Sequence, residues 1–76
     1  MSIDSYQKYG TIIGRVVGYN DYGCYVRDEA NDRVVFYYGH GTKGDRVQLS
    51  ILRVDKLRES VTCVLESVLE YGRYAA

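Results

Sequence analysis

Two tyrosines on either side of a turn glycine, Tyr22 and Tyr25 around Gly23, are the residues of this chain best suited to a specific chemistry. Rings held that way can take unpaired bases on their faces, a contact worth ~1 to 3 kcal/mol per base that tolerates any sequence. Phe36, inside the run Val34-Val35-Phe36-Tyr37-Tyr38, is a third candidate ring if its strand faces outward, and a core residue if the strand turns inward. Arg15 and Arg27 are cations near these rings in the chain that would meet phosphate beside them. The nine tyrosines equally suit a protein-binding surface, where this residue is enriched.

Other chemistries find no support. No nucleophile or acid–base pair can be assembled, and the stretch Gly39-His40-Gly41-Thr42-Lys43-Gly44 lacks the spacing of a phosphate-cradling loop. His40, between two glycines, reads as a solvated loop residue. Cys24 and Cys63 stand far apart with a single histidine in the chain, too few ligands for zinc, and read as small buried hydrophobes. The expectation is a binding protein rather than an enzyme, with no cofactor and no metal.

The elements that position these residues follow from length and punctuation. Seventy-six residues allow one domain, placed at 9–70 between tails 1–8 and 71–76, and 46% hydrophobic with 26% charged residues is a folding composition. The longest apolar run is Val34 to Tyr38, so no membrane span is expected, and a cytoplasmic location is the default.

Glycines separate β-branched and tyrosine-rich stretches of strand length, which predicts an all-β protein. The first strand runs Tyr9 to Tyr19, with Gly14 and Gly18 as points of bend or bulge. Cys24 to Glu29, Arg33 to Tyr38 and Arg46 to Val54 follow, the last with Val47, Leu49 and Ile51 inward. The final segment fits two periods. Leu57, Val61, Val64, Leu65, Val68 and Leu69 suit a helix, with Asp55 as N-cap and Gly72 just past its end, whereas Val61, Cys63 and Leu65 alternate as a strand over about Ser60 to Ser67. The strand is favoured, because four strands would leave an uncovered edge. Five short strands, the longest first, follow the plan of the OB-fold, a five-stranded Greek-key barrel, with a short C-terminal helix as the alternative for the end.

The run Gly14-Arg15-Val16-Val17-Gly18-Tyr19-Asn20-Asp21-Tyr22-Gly23-Cys24-Tyr25-Val26 resembles the first two strands of the S-one RNA-binding domain, the repeat of the ribosomal small-subunit protein of that name. Gly44-Asp45-Arg46-Val47 and Ile51-Leu52-Arg53-Val54-Asp55 look like that family's second signature. The resemblance covers about Tyr9 to Leu65. It implies that Tyr22 and Tyr25 occupy two stacking positions, and that Phe36 stands where the family usually carries an RNA-facing histidine. Asp55 matches an aspartate after the fourth strand. The arginine expected four residues later is displaced, since Arg58 is at three and Glu59 at four, with Lys56 as a basic neighbour. The short Gly39 to Asp45 link is also similar to that of the TRAM domain, a related small RNA-binding barrel.

The resemblance implies a monomeric module for single-stranded RNA, acting as an RNA chaperone or translation accessory, with single-stranded DNA as an alternative ligand. A second class is a protein-interaction barrel, since some small proteins resembling this family mimic a translation initiation factor and block its kinase. Charge tempers the first reading. Net charge is zero and the isoelectric point near 6.5, which argues against strong nonspecific binding. Yet residues 33 to 58 hold Arg33, Lys43, Arg46, Arg53, Lys56 and Arg58 against Asp45 and Asp55, a balance of +4, while each flank carries −2. Micromolar or weaker affinity is expected.

Overall fold

The computed structural model describes residues 5–72. Five strands, β1 (Thr11–Tyr19), β2 (Gly23–Asp28), β3 (Val34–Tyr38), β4 (Arg46–Asp55) and β5 (Ser60–Glu70), form a closed barrel in the order β1-β2-β3-β5-β4. The all-β expectation holds, and the strands fall within a few residues of their predicted bounds.

The alternative of a C-terminal helix gives way to β5, and no α-helix occurs among the described residues. Leucines and valines at helical spacing lose here to closure. β5 lies antiparallel to β4 and parallel to β3, so both of its edges are paired. Val61 and Cys63 point inward and are buried, as the strand period requires.

Alternation fills the interior. Ile12 and Val16 from β1, Cys24 and Val26 from β2, Val35 and Tyr37 from β3, and Val47, Leu49 and Ile51 from β4 join Val61 and Cys63 in one core. Cys24, Tyr37 and Cys63 stand side by side across β2, β3 and β5. Both cysteines are buried and free. Close strand approach explains two glycines: a Cβ at Gly14 would collide with the Arg27 carbonyl, and one at Gly23 with the Tyr37 carbonyl. The predicted irregularity in β1 is a bulge between Val16 and Gly18.

Tyr6, assigned from sequence to a tail, is buried and belongs to the core. Its hydroxyl donates to the buried Asp28 carboxylate at 2.6 Å, which also accepts the Ala30 N–H at 2.9 Å and the Asn31 amide at 3.3 Å. A carboxylate this enclosed needs such donors. Tail residues 1–4 and 73–76 lie outside the described residues.

Burial pushes Tyr6 up to about 12, helped by Asp28, and likewise raises Tyr37 and lifts the Cys63 thiol to about 12. The native chain therefore keeps protons that the unfolded chain releases near pH 9 to 10, so the unfolded state binds fewer protons and stability falls as pH rises. The urea midpoint should stay level up to about pH 9 and drop steadily between pH 9 and 12. A midpoint unchanged at pH 11 would contradict this burial.

Candidate nucleic-acid interface

The barrel's outer surface inherits the residues that alternation keeps out of the core. Tyr25 and Arg27 from β2 face outward, and so do Val34, Phe36 and Tyr38 from β3. Register sets Tyr25 opposite Phe36, Gly23 opposite Tyr38 and Arg27 opposite Val34. The rings consequently meet. Tyr25 and Phe36 have centroids 5.2 Å apart at 60°, and Phe36 meets Tyr38 edge-on at 5.0 Å. Phe36 is thus part of an exposed aromatic face, not of the core.

Tyr22 completes this face from the β1–β2 turn. The Asn20 carboxamide oxygen accepts the Tyr22 and Gly23 N–H groups at 2.8 and 3.0 Å, fixing the turn, and its nitrogen donates to the Tyr25 hydroxyl at 3.1 Å. Asn20, Tyr22, Tyr25, Phe36 and Tyr38 line a shallow cavity of about 370 Å³. Tyr22 is 75% exposed and Tyr38 62%, so their ring faces are open to a ligand.

The row continues around the barrel. Phe36 is in register with Thr62 of β5, and Thr62 with the exposed Arg53 of β4. Because β3 and β5 run parallel, the β4–β5 turn bearing Lys56 and Arg58 lies at the Val34 end of the aromatic strand, where an Arg33 guanidinium nitrogen donates to the Glu59 carbonyl at 3.4 Å. Asp55 accepts the Arg58 backbone N–H at 3.1 Å, so it shapes that turn. An extended strand crossing from Tyr22 toward Arg58 meets rings first and cations afterward.

Arg15 and Arg27 are placed less simply. Arg27 sits one pleat repeat from Tyr25 and pairs with Asp32 at 3.1 Å. Arg15 is in register with Arg27 on one side and Arg46 on the other, three guanidinium residues across adjacent strands. It donates to the Gly44 carbonyl at 3.0 Å and pairs with Glu70 at 3.3 Å, which draws it toward β4 and β5 and away from the rings. Arg46 forks onto Glu29 at 2.8 and 3.0 Å, and that hydrogen bonding holds the Glu29 carboxyl below its ordinary range. The positive balance of residues 33 to 58 is thus partly neutralised on the β1–β4 side.

Sequence reasoning missed Asn20, Tyr38 and Arg53 as members of this face. Tyr38 carried a signal, being two residues beyond Phe36 on the same strand. Arg53 carried none, because a register shift between Ile51 and Arg53 decides its partner.

No family model matches the sequence, and no curated protein matches it either. Solved structures do. GSP13 from Bacillus subtilis is similar at 20% identity and TM-score 0.68, over 79% of this chain and 55% of that one. A chain of the a/eIF2alpha-aDim2p-rRNA complex from Pyrococcus horikoshii is similar at 13% identity and TM-score 0.70, over 80% and 45%. A protein of vaccinia virus is similar at 17% identity and TM-score 0.63, over 83% and 92%. The barrel order β1-β2-β3-β5-β4, with β1 paired on both sides, is the deciding feature beside them.

This is an OB barrel.

At these identities the likeness establishes the fold alone, and the chain spans about half the length of the first two relatives. OB barrels that take oligonucleotides use the face of strands 2 and 3 with the flanking loops, the region that carries the rings and the β4–β5 cations here.

Proposed function

We propose that this OB barrel binds single-stranded RNA across the outer face of β2 and β3, without catalysing a reaction. Tyr22, Tyr25, Phe36 and Tyr38 take bases, while Arg27, Arg53, Lys56 and Arg58 meet phosphates. The observation that carries the reading is the outward aromatic row around one shallow cavity. The similar chain from Pyrococcus horikoshii belongs to a complex that contains rRNA, which supports the ligand class. The motif resemblance to the S-one domain supports it independently. A weak binder of this kind suits the work of an RNA chaperone or translation accessory.

An amide NMR titration with a ten-nucleotide oligouridine and its DNA counterpart tests this. Shifts are expected on residues 20–27 and 34–38, with a micromolar or weaker midpoint that rises several-fold from low to physiological salt. Comparison of the two oligonucleotides ranks RNA against DNA, because only RNA offers a 2′-hydroxyl.

A protein-interaction barrel is the second reading, favoured by the internal pairing of Arg15, Arg27 and Arg46 with Glu70, Asp32 and Glu29. Absence of any shift at millimolar oligonucleotide, together with a homodimer that buries the tyrosines, would establish it in place of the first.

A further inference from the structure

The cavity between the rings has a polar wall whose hydrogen-bonding sense is fixed. Asn20 Oδ1 is committed to two backbone N–H groups, at 2.8 Å to Tyr22 and 3.0 Å to Gly23, so the carboxamide cannot turn over. The Nδ2 group therefore faces Tyr25, and one of its two hydrogens goes to the Tyr25 hydroxyl oxygen at 3.1 Å. That bond orients the hydroxyl as well. Because its oxygen accepts from Asn20, its own hydrogen points elsewhere, and the second Asn20 N–H is likewise not consumed. Two adjacent donors, one N–H and one O–H, remain on this wall, and the committed Oδ1 offers no matching acceptor.

We infer that this wall selects a base with two adjacent acceptors, cytosine through N3 and O2 or guanine through N7 and O6, against adenine. The inference rests on the proposed RNA-binding role of the same face. Uracil sets an N–H between its two carbonyls and fills the pair less well. Adenine presents its exocyclic amine, a donor, beside each ring acceptor it offers on its Watson–Crick and Hoogsteen edges. Stacking alone would give a different order, since it answers to the size of the π-face and adenine has a larger one than cytosine. Preference for cytosine over adenine therefore reports the polar wall, not the rings.

Fluorescence anisotropy with labelled RNA octamers of C, U, A and alternating GU, at pH 7.5 and fixed salt, tests the inference. The C or GU octamer should bind about tenfold more tightly than the A octamer, the scale of a paired base-edge contact. Tight C with weaker GU assigns cytosine, and the reverse assigns guanine. Asn20→Asp keeps the acceptor that the turn needs and replaces the donor by an acceptor. It should lower every affinity through its charge and bring the ratio of C or GU to A to one or below. Tyr25→Phe keeps a ring and should narrow the same ratio. Equal binding of all four octamers by the unaltered protein, or an unchanged ratio in both variants, overturns the inference while leaving RNA binding intact. No binding of any octamer overturns RNA binding itself.

Discussion

Replacing Tyr25 and Phe36 together with alanine should weaken oligouridine binding by at least about 30-fold, since each ring lost removes a stack of ~1 to 3 kcal/mol. From a micromolar starting point the double variant should bind at tens of micromolar or weaker, read by fluorescence anisotropy. Both side chains point away from the core, so the barrel should remain folded and its amide spectrum dispersed. Tyr71→Ala is the matched control. Tyr71 is as exposed as Tyr22, at 75%, but follows the end of β5 and takes no part in the aromatic cavity. Equal affinity of the double variant and the control would remove the β2–β3 face from the mechanism.

One residue further along β3, alanine should have the opposite signature. Tyr37 is the largest fully buried side chain, and its hydroxyl donates to the His40 carbonyl at 3.0 Å. Tyr37→Ala empties the middle of the Cys24, Tyr37, Cys63 row and should cost about 3 to 5 kcal/mol, as large aromatic truncations do. A domain of this length has a total stability of only ~4 to 11 kcal/mol, so this loss takes from about a quarter of it to all of it. Tyr38→Ala, on the outward side of the same strand, should stay within about 1 kcal/mol of the unaltered protein. Urea unfolding followed by circular dichroism separates the two. Similar midpoints for both variants would contradict the burial of Tyr37, and the reverse order would mean that β3 is turned the other way.

That contrast shows what the sequence made legible. In Val34-Val35-Phe36-Tyr37-Tyr38 every residue is apolar or aromatic, and composition alone leaves both faces equally plausible. β4 was easier, because Val47, Leu49 and Ile51 alternate with polar residues, and all three are buried. Tyr22 and Tyr25 were legible because a turn glycine separates them. The fifth strand was ambiguous locally, where valine and leucine satisfy both periods, and was resolved by the need to close the barrel. Cross-strand partners lay beyond reach. The Arg15–Glu70 pair joins residues 55 apart, and its geometry depends on three register shifts between β4 and β5. Tyr6 was misassigned because a lone tyrosine before the first strand carries no period, and only the buried Asp28 carboxylate explains its place.

The seven residues from Gly39 to Asp45 hold none of the proposed binding groups, yet their length bears on how the barrel assembles. On either side of them the chain is local: β1, β2 and β3 form a meander, and β4 and β5 a hairpin. The two remaining ladders, β1 with β4 and β3 with β5, join residues 26 or more apart, such as Phe36 with Thr62 and Arg15 with Arg46. Loop-closure entropy falls due at that joining step, which makes it the slow one in a β topology. A short connector keeps the two halves near each other. Its β4 end is anchored on β1, with the Gly44 N–H donating to the Val16 carbonyl and the Val16 N–H to the Asp45 carbonyl. Lengthening this connector would leave the binding face untouched and slow the encounter that creates it, since Phe36 acquires its β5 neighbour only when the halves meet.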